Sequence, residues 1–174
     1  MWVLFLVLRN SGIEAGGMYP PSSAPLRPSI EVFRHVFPAT PEAARHARHL
    51  VDNALRLLGI EEAGAVRCDA VAVVAELTAN AATHGCVSGQ GFEVVVLLIP
   101  GGLRVEVGDP GRGGLPTALP GPPEDTDAES GRGLRIVATL AHRWGVIPNP
   151  AGAPGKTVWA EVLRRRPESV GEAP

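Results

Sequence analysis

Val73–Gly85, VVAELTANAATHG, is the stretch whose reading decides the fold. It is rich in alanine and aliphatic residues and stops at a glycine, so it reads as a helix. Within it Glu76, Asn80 and His84 recur every four positions and form a ridge that drifts about 40° per step. Val71, Val74, Leu77, Thr78 and Ala81 form the neighbouring apolar face. Burying an unpaired carboxylate costs several kcal/mol, on the order of the loss when a buried ion pair is broken, so the ridge calls for a polar cleft or a bound cation. On this segment alone a solvent-exposed polar face explains the pattern equally well.

Working outward, the helix spans about Ala65 to His84. Upstream, IEVFRHVF (Ile30 to Phe37) alternates as a strand does. Thr40 then caps a helix that opens with Pro41 and Glu42 and runs to a stop at Gly59. Ala47, Leu50, Val51, Ala54, Leu57 and Leu58 give that helix its apolar face, while Arg45, His46, His49, Asp52, Asn53 and Arg56 face water. Downstream, FEVVVLLI (Phe92 to Ile99) and LRVEVGD (Leu103 to Asp109) form a hairpin around a Pro-Gly-Gly turn, the first strand being central and buried on both faces. After the turn DPGRGG, residues 115–130 are proline-laden and acidic without periodicity, a loop whose functional form is a lid over a ligand. A helix then starts at Gly131 and runs to Ala141, and RWGVIP and TVWAEVL close the domain as two strands. The sum is an α+β two-layer sandwich: a mixed, mainly antiparallel sheet of five strands with three helices on one face.

The chain has 174 residues and a formal net charge of −2, with its basic residues scattered. That suits one domain with a real core and gives no broad positive surface for nucleic acid. Lys156 is the single lysine. Cys68 and Cys86 bracket the central helix and would lie roughly 27 Å apart along it, too far to pair, which fits a reducing cytoplasm. MWVLFLVL at the N-terminus is too short to span a bilayer and lacks a basic segment ahead of it. Translation starting at Met18 is the preferred explanation, a short extra strand the second. Residues 1–29 therefore read as a flexible or misassigned extension, 30–163 as the domain, and 164–174 as a disordered tail.

Two glycine-rich features change the balance at the ridge. Asp109 ends a strand at DPGRG, where Gly111 and Gly113 let the backbone pass beneath a flat ligand while the carboxylate accepts from an amine. GRGL, Gly131 to Leu134, opens a helix whose free N–H groups and dipole favour an anion such as phosphate. Each is weak alone; order and spacing together are specific. With ELTANAATH, DPGRG and GRGLRIV in this order over Ile30 to Leu163, the chain resembles the ATPase superfamily shared by DNA gyrase, the heat-shock chaperone and the sensor histidine kinases. The compact length, short lid and ending GKTVWAEV look most like the anti-sigma-factor serine kinases and related small ATP-binding regulators of actinobacteria.

The resemblance implies a set of roles. Asn80 would ligate Mg²⁺ through its amide oxygen, and Glu76 would orient or deprotonate the attacking hydroxyl or water. Asp109 would bind the adenine amine in a pocket shaped by Gly111 and Gly113. Gly131, Arg132 and Gly133 would hold the phosphates of ATP, Leu134 completing the motif. His84 would be a structural neighbour of the site. The partners implied are a sigma factor and an anti-anti-sigma antagonist protein that accepts the phosphoryl group; a homodimer is left open. The alternative is a non-catalytic ATP-binding switch. Gly155-Lys156-Thr157 is not a phosphate-binding loop, because Pro150 stands where the earlier glycine is required and a strand follows. One helix upstream is too few for the phosphorylated hairpin of a sensor histidine kinase, so His46 and His49 are read as surface residues. A metal-dependent hydrolase built on Glu76 and His84 would explain neither glycine motif.

Overall fold

The structure, a computed structural model, describes residues 28–60, 66–85, 90–111, 132–149 and 154–164. Their elements are β1 (Ile30–Pro38), α1 (Pro41–Leu57), α2 (Val66–His84), β2 (Gly91–Ile99), β3 (Gly102–Asp109), α3 (Arg132–Leu140), β4 (Arg143–Pro148) and β5 (Lys156–Leu163). The N-terminal extension, the lid, Cys86 and residues 165–174 lie outside the described residues. Arg164, read from the sequence as the start of the tail, still donates its N–H to Gly101 O at 2.9 Å.

The five strands form one sheet in the order β1-β2-β3-β5-β4, and all four pairings are antiparallel. β5 is thus inserted between β3 and β4, which makes β3 the middle strand. The three helices cover one face, with α2 between α1 and α3 and packed against β3. That position explains the apolar character of α2: a helix with neighbours on several sides has little surface left for a polar face. Phe92, Val94, Val96, Leu103, Val105, Val107, Val158, Ala160 and Val162 supply the sheet's half of the core. β2 is interior and its Val95 and Ile99 are buried on the far face, but Leu97 there is half-buried and Leu98 is exposed, so burial on both faces is partial.

α1 starts as its cap predicts: Thr40 Oγ1 accepts the N–H of Ala43 at 3.1 Å. Its buried stripe is Ala44, Ala47, Val51 and Leu55, a strict succession at three and four residues. Leu57 was expected in this stripe and is instead 89% exposed, while Leu55 is fully buried. Two residues along a helix is a rotation of about 200°, so only one of these leucines can face the sheet. Asp52, expected to face water, is half-buried and pairs with Arg67 of α2 as well as Arg56. Within α2, Thr78 is fully buried and donates back to Val74 O at 2.7 Å, which satisfies its hydroxyl inside the core. Among the described residues, no helix is long and apolar enough to cross a membrane.

Candidate functional site

The ridge of α2 faces the start of α3. Glu76 and Asn80 are half-buried, and His84 at the end of the helix is exposed, so the ridge enters the fold only over its first two members. Gly133, the second residue of α3, lies directly on them. A Cβ there would sit 2.9 Å from Glu76 Oε2 and 3.4 and 3.5 Å from the amide nitrogen and oxygen of Asn80. α3 is held in that place by Val137, which is fully buried, and by Leu134, which packs against the core. Leu134 thus anchors the helix that carries Gly133. A side chain there would require the Glu76 carboxylate to shift, while its distances to Asn80 would be ordinary contacts, so the start of α3 lies close against both side chains.

Asp109 ends β3 at the same end of α2. It is 5% exposed. Its Oδ1 accepts the N–H of Gly111 at 3.1 Å, an interaction that folds the DPG turn back over the carboxylate. Gly85 is packed against this turn: a Cβ on Gly85 would lie 2.6 Å from Asp109 Cβ and Cγ, and one on Gly111 would lie 2.7 Å from Gly85 Cα and O. Gly85 was read from the sequence as a helix stop. Its larger constraint is this contact between the end of α2 and the turn after β3, for which no signal exists in the local sequence.

A second residue escaped the sequence reading. Lys156, which the sequence places in a turn and not in a phosphate-binding loop, is buried opposite Asp109, with Nζ 3.2 Å from Oδ2 and 3.4 Å from Oδ1. The turn reading of Gly155 holds, since its φ is +107° and Lys156 opens β5. Of the remaining predicted site residues, Gly113 and Gly131 lie outside the described residues, as does the side chain of Arg132.

The donor set fits the expected ligands. Among the described residues neither the Glu76 carboxylate nor the Asn80 amide has a hydrogen bond or ion pair, although both are half-buried and share the contact with Gly133. Two uncommitted oxygen donors beside a glycine suit a hard cation and the anion that accompanies it. No group of three His, Cys, Asp or Glu side chains converges among the described residues. Two surface clefts lie elsewhere, one along α1 and α2 at Arg45, Arg48 and Ala79, the other at Ile60, Arg67 and Leu103. Neither includes Glu76, Asn80, Asp109 or Gly133.

The model of the histidine kinase-like ATPase domain matches residues 37–161, which spans all three helices and every motif named above. Among solved structures the chain is similar to the RsbU and RsbW domains of Rv1364c from Mycobacterium tuberculosis. That match has a TM-score of 0.55 and 22% identity, and it covers 80% of this chain and 33% of the other. The chain thus spans about a third of the length of that protein. No curated protein matches the sequence.

Proposed function

The chain belongs to the histidine kinase-like ATPase domain family, and from that premise we propose that it is an ATP-binding regulator of the anti-sigma-factor kinase type. In this reading it works in the cytoplasm, phosphorylates a serine or threonine of a protein antagonist, and controls a sigma factor. The observation that carries the reading is the meeting of three motifs distant in sequence: Gly133 on Glu76 and Asn80, and Gly85 on Asp109 and Gly111. A nucleotide lying along that line would have its base at Asp109 and its phosphates at the start of α3.

When bound, Mg-ATP supplies the phosphoryl group and neutralises its charge. The chain's own residues do the rest. Asn80 would hold the ion through its amide oxygen, and the N-terminal turn of α3 would receive the phosphates through backbone N–H groups. Asp109 accepts from the base. Glu76 takes the proton of the attacking hydroxyl, a role suited to a carboxylate with no competing partner among the described residues. In a second reading the same site binds ATP only as a switch, and Glu76 acts on no substrate.

Incubation with labelled ATP, Mg²⁺ and candidate antagonist proteins distinguishes them. Phosphotransfer that falls about 10²- to 10⁴-fold in Glu76→Gln, with ATP binding retained, is the expected result. ATP binding with no transfer to any candidate, and full cellular activity in Glu76→Ala, would leave the switch.

A further inference from the structure

At the pole of the domain away from Gly85 and Asp109, a half-open cavity of about 260 Å³ lies between the start of α2 and the β2–β3 turn. Ile60, Val66, Leu98, Ile99 and Leu103 give it an apolar wall, and Arg67 and Arg164 are its charged members. Among the described residues no acidic side chain lines it. Val66 opens α2 and Gly102 opens β3, so the cavity stands at the opposite end of both elements from Gly85 and Asp109. Val66 and Glu76 are about 15 Å apart along the helix, at about 1.5 Å per residue.

The two arginines are held loosely. Arg67, whose side chain is 18% exposed, pairs through Nη1 with Asp52 of α1, but Asp52 is shared with Arg56, whose Nε lies 3.7 Å away. Nε of Arg67 is buried and has no hydrogen-bond partner among the described residues. A guanidinium carries five N–H donors in one plane, so one shared carboxylate leaves most of them unspent. Arg164 enters from the end of β5, where its N–H donates to Gly101 O at 2.9 Å and ties it to the β2–β3 turn. The first N–H groups of α2, beginning at Val66, add positive potential in the same place.

An apolar body with an anionic end satisfies both halves of this lining. A neutral molecule would desolvate the arginines without giving them an acceptor, and an inorganic anion would leave the apolar wall in water. Size limits the choice further: about 150 Å³ accommodates benzene, so about 260 Å³ takes an acid of roughly eight to ten heavy atoms. We propose that this cavity is a second ligand site, binding a small apolar carboxylic acid with its carboxylate between Arg67 and Arg164 and its hydrocarbon against Ile60, Leu98 and Leu103. A turn of the Arg67 guanidinium toward the carboxylate gives Nε the acceptor it lacks. No lining residue belongs to the candidate nucleotide site, so the inference stands apart from that reading.

The test is titration of the full chain with hexanoate, 1-hexanol and inorganic phosphate, followed by amide NMR with and without Mg-ATP. Hexanoate should shift the amides of Val66, Arg67, Gly101, Gly102 and Leu103 and saturate at about millimolar concentration, as expected for so few atoms. 1-Hexanol, with the same chain and no charge, should bind about tenfold more weakly, and phosphate should leave these amides unmoved. Arg164→Gln should weaken hexanoate about tenfold and leave 1-hexanol unchanged. Arg67→Gln should act in the same sense, and Leu98→Trp should exclude both molecules. Should Arg67→Gln not fold without its pair to Asp52, Arg164→Gln decides. Equal affinity for hexanoate and 1-hexanol, or no loss of hexanoate binding in Arg164→Gln, would reduce the site to an apolar cleft and overturn the proposal. Phosphate binding as tightly as hexanoate would overturn it too, as would no hexanoate shifts, or shifts confined to other amides such as those of Ala75 and Ala79. Hexanoate binding in a chain that fails to bind ATP would overturn the nucleotide reading alone.

Discussion

Two buried carboxylates stand on adjacent strands of the same sheet and are treated in opposite ways. Glu161 of β5 is closed off. Arg143 binds it with Nε and Nη2 at 2.7 and 3.0 Å, and Arg104 adds Nη1 at 3.2 Å while stacking on Trp159 at 4.1 Å. Burial alone would raise its pKa, but the hydrogen bonds from Arg143 and Arg104 outweigh that, and the net shift is downward. Asp109 of β3 has one lysine at longer range and one backbone N–H. The first arrangement spends its hydrogen-bonding capacity within the fold and belongs to the face away from the helices. The second, at the helix-covered end, keeps capacity in reserve, which the proposed base-binding role of Asp109 requires.

The same change, carboxylate to amide, should therefore have different consequences for nucleotide binding at the two positions. Asp109→Asn should weaken ATP binding by about a hundredfold and also lower the melting temperature, because it removes a charged acceptor from the base and the counter-charge of the buried Lys156 ammonium. Calorimetric titration with ATP checks it; unchanged affinity would remove Asp109 from the site and erase the contrast. Asn80→Ala sharpens the picture on the other side of Gly133. It should lower affinity about tenfold in the presence of Mg²⁺ and hardly at all with EDTA, since one protein ligand to a hydrated ion is lost.

The smallest effect is expected at Glu161. Glu161→Gln should cost on the order of 1 kcal/mol of stability at neutral pH and leave nucleotide binding unchanged. Because the folded-state pKa of Glu161 is depressed, its contribution is complete above the carboxylate's ordinary value of 4.5 and disappears as pH falls through the lower folded value. The gap in melting temperature between wild type and Glu161→Gln should narrow over that acid range. A gap independent of pH would show that the cluster acts through packing alone.

Much of the fold was legible because it is written in short-range patterns. Thr40 followed by Pro41 and Glu42 marks the start of α1 whatever lies around it, and the alternation from Phe92 to Ile99 marks a strand. The four-residue step from Glu76 to Asn80 likewise put both side chains on one ridge. Errors arose where a choice between neighbours depended on what the helix packs against. Leu55 and Leu57 are equally apolar, and only the position of α1 over the sheet selects Leu55. Asp52 looked like one more surface acid until α2 brought Arg67 beside it.

The candidate site divides in the same way. The sequence by itself determined the helices, the strands, and the order of three motifs that joins this chain to its family, since each depends on residues within a few positions of one another. Only the tertiary structure decided that Gly85 must be a glycine for Asp109's sake, and that Lys156 stands at a carboxylate 47 residues away. The physical reason is the strand order. β5 passes its hairpin partner β4 on one side and β3 on the other, and that insertion sets Lys156 opposite Asp109 in register. Hydrophobic periodicity specifies which side of a strand is buried; it carries no information about which strand lies next to it.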